Sequence, residues 1–556
     1  MRQQKYAIGL DFGTLSVRAL MIRIDNGDEV GESVFEYPHG VMEEALPTGE
    51  KLPPNWALQH PKDYLDGMIW TIREVMRQSG AAPEDVVGIG VDFTAPTVIP
   101  VRKDGEPLCF TEEFEHEPHA YVKLWKHHGA EKEAMHLEKV LKEKANQRLA
   151  FCSNQVSCEW MMPKIMETLN HAPKVYEKAD RFMESMDWIV WRLTGTESRS
   201  MNGLNVINQT FYDPDTGNPS RELLRALDTK MEHFVDDKIH APIKRIGETA
   251  GFLTEEMADI LGLVPGVAVG TPIGDAHACL FGGGVADSGE LMLVIGTSFC
   301  HMLLGEAKAN VYGMCSCAKD TILQGYYTYE AGQSGGGEHY AWFVNNCVPE
   351  KYEMEAREEG VGIHQLLCEK LQGYKAGQSG LLALDWFNGV RSPLMDFDLN
   401  GLILGMNLQT KPEEIYLALI EATVFGTRFM VEEYEKAGVP IKSVVLSGGI
   451  PLKNPMLVQV FSDILNKDID VCQTTQAGAL GSAMLGIAAA SSDITGYSCL
   501  KEVVKKLGKR KEKVCCPNEE NVKVYHQLFE EYKVLHKYFG KGTNDVMKRL
   551  NQMRNS

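Results

Sequence analysis

IGLDFGTLSVRAL at Ile8–Leu20 reads as an apolar strand, a Gly-Thr turn at Gly13–Thr14 and a second alternating strand. The design recurs past the midpoint as LVIGTSFCHML at Leu293–Leu303, with its turn at Gly296–Thr297. A β-hairpin with Gly-Thr at its tip, present twice, predicts two similar lobes facing one another.

Around these hairpins, short apolar runs alternate with amphipathic patterns, the signature of an α/β protein. Pro61 opens a helix with apolar Leu65, Met68, Ile69, Ile72, Val75 and Met76, and Gly80 closes it. A strand follows at Val86–Asp92. A second helix spans about 412–438 and leads to a strand at Ser443–Leu446, after which Asn454 caps a helix with Pro455 in its first position. Helix is also expected from Leu137 to about Arg148 and from Asn521 to Ser556. The basic run Lys505–Lys513 reads as a solvated helix face or loop. The longest uncharged stretch, Val471–Ser492, is rich in Gly, Ala, Ser, Thr and Gln, so it reads as a tightly packed small-residue helix and not a membrane span.

Composition narrows the function. The 556 residues suffice for two or more domains, and 44% hydrophobic with 24% charged residues is an ordinary globular mixture. Asp and Glu number 76 against 56 Lys and Arg, a formal net charge of -20, which disfavours nucleic-acid binding. No apolar segment follows the basic start, so no secretory signal is expected. The 13 cysteines lack zinc-finger spacing and read as free thiols of a cytoplasmic protein.

The turns carry chemistry suited to a phosphate chain, which needs backbone N–H groups, hydroxyl donors and a divalent cation, with glycine allowing close approach. Asp11, Gly13 and Thr14 supply a carboxylate, a glycine and a hydroxyl; Gly296 and Thr297 supply the last two. Gly448 and Gly449, after the strand at Leu446, would let a flat adenine lie against the backbone. Together these elements resemble the nucleotide pattern of the actin, hexokinase and heat-shock chaperone superfamily. GDAHA at Gly274–Ala278 adds a carboxylate, Asp275, as a base for a sugar hydroxyl receiving a phosphoryl group. His277 would point to the opposite side if the strand continued.

Narrower segments specify the family. GVDFTAPTVIPV at Gly90–Val101, PHAYVKLWKHH at Pro118–His128, YEAGQSGGGEHYAWF at Tyr329–Phe343, LDWFNGVRSP at Leu384–Pro393 and SGGIPLKNPMLVQ at Ser447–Gln459 join the hairpins and GDAHA. Over nearly its whole length the chain resembles the FGGY carbohydrate kinases. The resemblance implies two actin-like (ribonuclease H-like) lobes around a cleft, a sugar-binding lobe over 1–275 and an ATP-binding lobe over 276–556. It implies ATP and Mg2+, with Asp11 at the metal, Thr14, Gly296 and Thr297 at phosphates, and Gly448, Gly449 and Asn454 at adenosine. Ala95, Asp275, Glu330 and the position of Asn205 would contact the sugar, while Trp125, Trp342 and Trp386 read as packing. The implied reaction turns ribulose into ribulose 5-phosphate in arabinose and pentose breakdown. Xylulose, another ketose or a polyol are alternative acceptors, and an actin-like regulatory ATPase is the alternative from another class. The implied partner is a small sugar, with neither nucleic acid nor membrane, and a homodimer is left open. One departure stands out: family members acting on ribulose carry Gly-x-Lys-x-x-Trp where this chain has Gly203, Asn205 and Asn208. A neutral amide there replaces a long cation.

Overall fold

The computed structural model describes residues 4–149, 155–208, 211–214 and 216–555. The chain forms two compact units, one of Met1–Ala286, Ser316–Thr328 and Gln476–Gly508, the other of Asp287–Cys315, Tyr329–Thr475 and Lys509–Ser556. A single division at 275/276 does not describe them: it falls inside the first unit, which also reclaims Gln476–Gly508.

The sheet of the first unit runs Thr249–Phe252, Ala268–Gly270, Val86–Phe93, Tyr6–Phe12, Ser16–Arg23, Glu29–Glu36, and Ile273–Gly274 also pairs with Val86–Phe93. Tyr6–Phe12 is antiparallel to Ser16–Arg23 and parallel to Val86–Phe93. The second unit repeats that arrangement, with Glu290–Ile295 antiparallel to Phe299–Gly305 and parallel to Ser443–Ser447. Each Gly-Thr turn therefore ends a hairpin whose first strand lies inside a sheet.

Helix Pro61–Ser79 packs on the first sheet through Tyr64, Met68, Ile72 and Val75, all fully buried. Its punctuation matches its sequence: Pro61 at the start, and Gly80 at φ 63° donating its N–H to Met76 O. The other helix of this unit that matters is Ala477–Ala489, made of small residues and nearly all buried. A Cβ on Gly9 would lie 1.9 Å from Ala479 O, one on Gly88 2.0 Å from Gly486 O, and one on Gly90 1.8 Å from Ser482 O. The helix thus lies backbone against backbone on both central strands, an approach only glycine permits. Among the described residues, no single helix is long and apolar enough to cross a membrane.

Several boundaries differ from the sequence reading. The helix expected near 137–148 spans Glu131–Lys144, and the C-terminal one is broken into Glu519–Gly540 and Val546–Asn555, with Ser556 outside the described residues. The basic run is not one solvated face: it covers the end of helix Leu500–Leu507 and part of strand Arg510–Cys515. There Arg510 pairs with Glu290 at 2.6 Å and donates to Asp470 at 2.8 Å. Neutralised within the sheet, that cation has the strand's edge to hold rather than solvent to face. Among the described residues no disulfide joins two cysteines.

Gly90→Ala is expected to cost about 3 kcal/mol or more, because the methyl collides with backbone that cannot rotate away. Gly262→Ala, at φ 74° with open space around it, should cost about 1 kcal/mol. Urea unfolding of both variants checks the contrast.

Candidate active site

Three carboxylates meet at the ends of adjacent strands in the first unit. Asp11 and Asp92 are register partners on parallel strands, and Ile273 pairs with Asp92 just before Asp275. Asp11 is mostly buried, with Arg18 at 3.5 Å across its hairpin. Asp92 is fully buried; its Oδ2 accepts the Ser482 hydroxyl at 2.7 Å. Burial first, then the charge of Asp11, holds the Asp92 carboxyl well above the usual range, and Asp275 adds to the shift. Asp275 is part-exposed and accepts the Ala276 N–H at 2.7 Å. Burial and the Asp11 charge push it up to about 6. Asp92 was missed in the sequence reading, although GVDFT was quoted for it, because a carboxylate inside an apolar strand shows its neighbours only once the strands pair.

The strand does not continue past Asp275. Helix Asp275–Gly282 begins there, so the expectation that His277 points to the opposite side of a strand fails. His277 instead faces Asn202, with Nδ1 3.1 Å from its Nδ2, and Asn202 Oδ1 accepts the Gly274 N–H at 3.0 Å.

Thr14 is held by two groups. Its hydroxyl accepts the Trp125 indole N–H at 3.1 Å, and its carbonyl accepts Gln59 Nε2 at 2.7 Å. Trp125 therefore does more than pack, which its place in LWKHH could have signalled.

Ala95 sits in a turn fixed from behind. Lys164, fully buried, donates to Pro96 O at 2.9 Å and Leu124 O at 2.7 Å, and burial pushes its ammonium down to about 8. Glu184 accepts the Thr97 N–H at 2.8 Å and Asn208 Nδ2 at 2.9 Å. Asn208 also donates to Gly203 O at 2.7 Å and accepts the Met161 N–H at 2.7 Å. The short π-helix Asn202–Ile207, with Asn205 buried in it, is thereby tied to the turn of Ala95.

In the second unit, Gly296 and Thr297 are exposed at their hairpin tip. Gly337 N donates to Gly296 O at 2.9 Å and Glu338 N to Thr297 O at 3.3 Å, so helix Gly337–Cys347 starts against the tip. Gly448, at φ 112°, would place a Cβ 2.3 Å from Ile295 O, which binds the Ser447–Gly449 turn to the same strand; Gly449 faces open space. Asn454 caps helix Pro455–Leu465 by accepting the Leu457 N–H at 3.1 Å. Glu330 lies on strand Tyr327–Gln333, where its carbonyl accepts the Cys315 N–H at 2.7 Å. The candidate residues divide between the units: Asp11, Thr14, Ala95, Asn205 and Asp275 lie in the first, and Gly296, Thr297, Glu330, Gly448, Gly449 and Asn454 in the second.

Asn208→Ala is expected to lower stability by about 2–3 kcal/mol, since it strands the buried Glu184 oxygen, the Gly203 carbonyl and the Met161 N–H. Denaturant unfolding measures this directly.

Comparison with known proteins bears on the family and the fold. Residues 6–282 match the N-terminal domain of the FGGY family of carbohydrate kinases and residues 291–490 its C-terminal domain. A protein named ribulokinase from Geobacillus thermodenitrificans is 44% identical over 548 residues, 98% of this chain and 97% of its own length. Another from Bacillus licheniformis is 45% identical over 542 residues, 97% of this chain and 98% of its own. Among solved structures, xylulose kinase from Rhodospirillum rubrum superposes with a TM-score of 0.78 at 20% identity, covering 96% of this chain and 98% of its own. Gluconate kinase from Lactobacillus acidophilus gives 0.78 at 18%, covering 97% and 99%. These structural likenesses bear on the fold, and the family models and relatives extend the match to sequence: this chain is a sugar kinase belonging to the FGGY family of carbohydrate kinases.

Proposed function

We propose that the protein transfers the γ-phosphoryl group of ATP to a hydroxyl of ribulose, giving ribulose 5-phosphate. The observation that carries this reading is that Asp11 and Asp275 flank the end of strand Val86–Phe93, one on a Gly-Thr hairpin and one at a helix start. The relatives named ribulokinase support the choice of sugar.

In this reading Thr14, Gly296 and Thr297 bind phosphates, and Gly448, Gly449 and Asn454 line the adenosine. Ala95, Asn205 and Glu330 orient the sugar through its hydroxyls. Asp275 accepts the proton of the attacking hydroxyl as the new O–P bond forms and the bond to the ADP oxygen breaks. Orientation matters more here than basicity, because the proton leaves late. The oxygen donors at Asp11 suit Mg2+, which takes one or two carboxylates along with substrate phosphates. When bound, Mg2+ would neutralise phosphate charge beside Asp11. Asn205 donates without charge, so selection among ketoses would rest on hydrogen-bond geometry.

Asp275→Asn should lower turnover by about 10²–10⁴-fold while nucleotide binding survives. A base must be unprotonated to act, so the wild-type rate should fall as pH drops through about 6, the position to which burial and Asp11 bring this carboxyl. Near-normal turnover of the variant in a coupled assay would remove Asp275 from this role. The same assay, run across ribulose, xylulose and polyols, should show the fastest ATP consumption with ribulose. Sugar-independent turnover would instead favour a regulatory ATPase.

A further inference from the structure

Asp92 sits where an apolar residue would serve the sheet better. It is fully buried on a central strand, Ser482 satisfies Oδ2, and Oδ1 meets no hydrogen-bond donor. A buried carboxylate oxygen without a donor is costly and is kept only where something offsets it. Its register partner, Asp11, offers more negative charge, and Asp275 follows on the other side. Arg18 reaches Asp11 at 3.5 Å, and no ion pair to Asp92 is formed among the described residues. The adjacent helix contributes a glycine at this place: a Cβ on Gly478 would lie 3.3 Å from Asp11 Oδ2 and 3.4 Å from Asp92 Oδ2. At residue 478 the small-residue helix thus places no side chain beside the two Oδ2 atoms, while Ser482 from the same helix reaches Asp92.

We propose that Asp92 is a second carboxylate ligand, beside Asp11, for the divalent cation that accompanies the nucleotide. The proposal rests on the reading of Asp11 given above. Two carboxylates on parallel strands at one register position present oxygens to a single small, hard cation, and nucleotide phosphates and water complete its shell. Asp275 is then left to the acceptor hydroxyl. Ser482 is a positioning residue: its hydroxyl fixes the Asp92 carboxylate through Oδ2 and leaves Oδ1 for the metal.

The competing role for Asp92 is a hydrogen-bonded bridge between Ser482 and Asp11. Asparagine would perform that role as well, accepting from Ser482 and donating to Asp11, so Asp92→Asn separates the two. Mn2+ serves as the probe, with ADP and the full chain, its free fraction read by electron spin resonance and its bound water by proton relaxation. The expected result is at least a tenfold loss of Mn2+ affinity in Asp92→Asn and one more water on the bound ion, with thermal unfolding of the metal-free protein unchanged. Wild-type affinity and hydration in Asp92→Asn, alongside weakened binding in Asp11→Asn, would overturn the proposal and leave the Asp11 reading standing. Absence of Mn2+ binding by the wild type, or unchanged binding in Asp11→Asn, would remove both. If Asp92→Asn does not fold, Asp92→Cys puts the same question: a ligand at 92 shifts preference from Mn2+ toward Cd2+ relative to wild type, and an unshifted preference overturns the proposal.

Discussion

The first unit depends on one contact, the seating of helix Ala477–Ala489 on glycine backbone. Gly9, Gly88 and Gly90 accept it on the strands, and Gly481 and Gly282 bring it against helix Asp275–Gly282, where added Cβ atoms would fall 2.0 Å from Ala278 O and 2.1 Å from Ala477 O. Close-packed backbone gives many small attractive contacts and leaves no slack. Two consequences reach the site. Ser482 is brought within hydrogen-bond distance of Asp92, and residue 478 is set beside Asp11 and Asp92. A segment far along the chain thus completes the surroundings of carboxylates encoded near its start.

That packing also sets the electrostatics. Burial and the charge of Asp11 both act to raise the carboxyls of Asp92 and Asp275. Behind the turn of Ala95 the balance is reversed. Lys123 donates to Lys164 O, Glu167 and Thr168 at 2.6–2.9 Å, and His127 shares Glu167 at 2.9 Å. Burial acts to raise the Glu167 carboxyl, but Lys123 and His127 outweigh it and hold it below the usual range. The first cluster has Arg18 at Asp11 and no ion pair to Asp92 among the described residues, whereas the second is satisfied internally. Buried charge that is fully paired serves as scaffold, whereas crowded like charge marks a place where something else binds.

The parts legible in the sequence were those written in local chemistry. Pro61 and Gly80 bracket their helix, Asn454 and Pro455 open theirs, and both Gly-Thr segments join antiparallel strands. The small-residue stretch was read as tight packing, and it is. What was not legible required partners distant in the chain. Asp92 looks like a strand residue until Asp11 lies beside it, Trp125 like core until Thr14 meets its indole, and Arg510 like a solvated cation until Glu290 and Asp470 close on it. The return of Gln476–Gly508 to the first unit is of the same kind: its small-residue composition signals tight packing but not which sheet receives it.

The departure at Asn205 and Asn208 belongs to the same logic. Asn208 fills all its hydrogen bonds with Glu184, Gly203 and Met161, so in this chain that position holds the turn together and has no donor left for a ligand. The linkage runs through Glu184 to Thr97 and so to the turn bearing Ala95. An amide suits this role because it both donates and accepts; an indole in its place could only donate. Loss of the tryptophan is thus offset within the scaffold. Replacing a lysine by Asn205 removes a charge that burial would penalise, and no neighbouring group has to compensate for it. The cation of this interior is Lys164, fully buried against the carbonyls of Pro96 and Leu124, so the amide network around Asn208 braces the segment without adding a further charge.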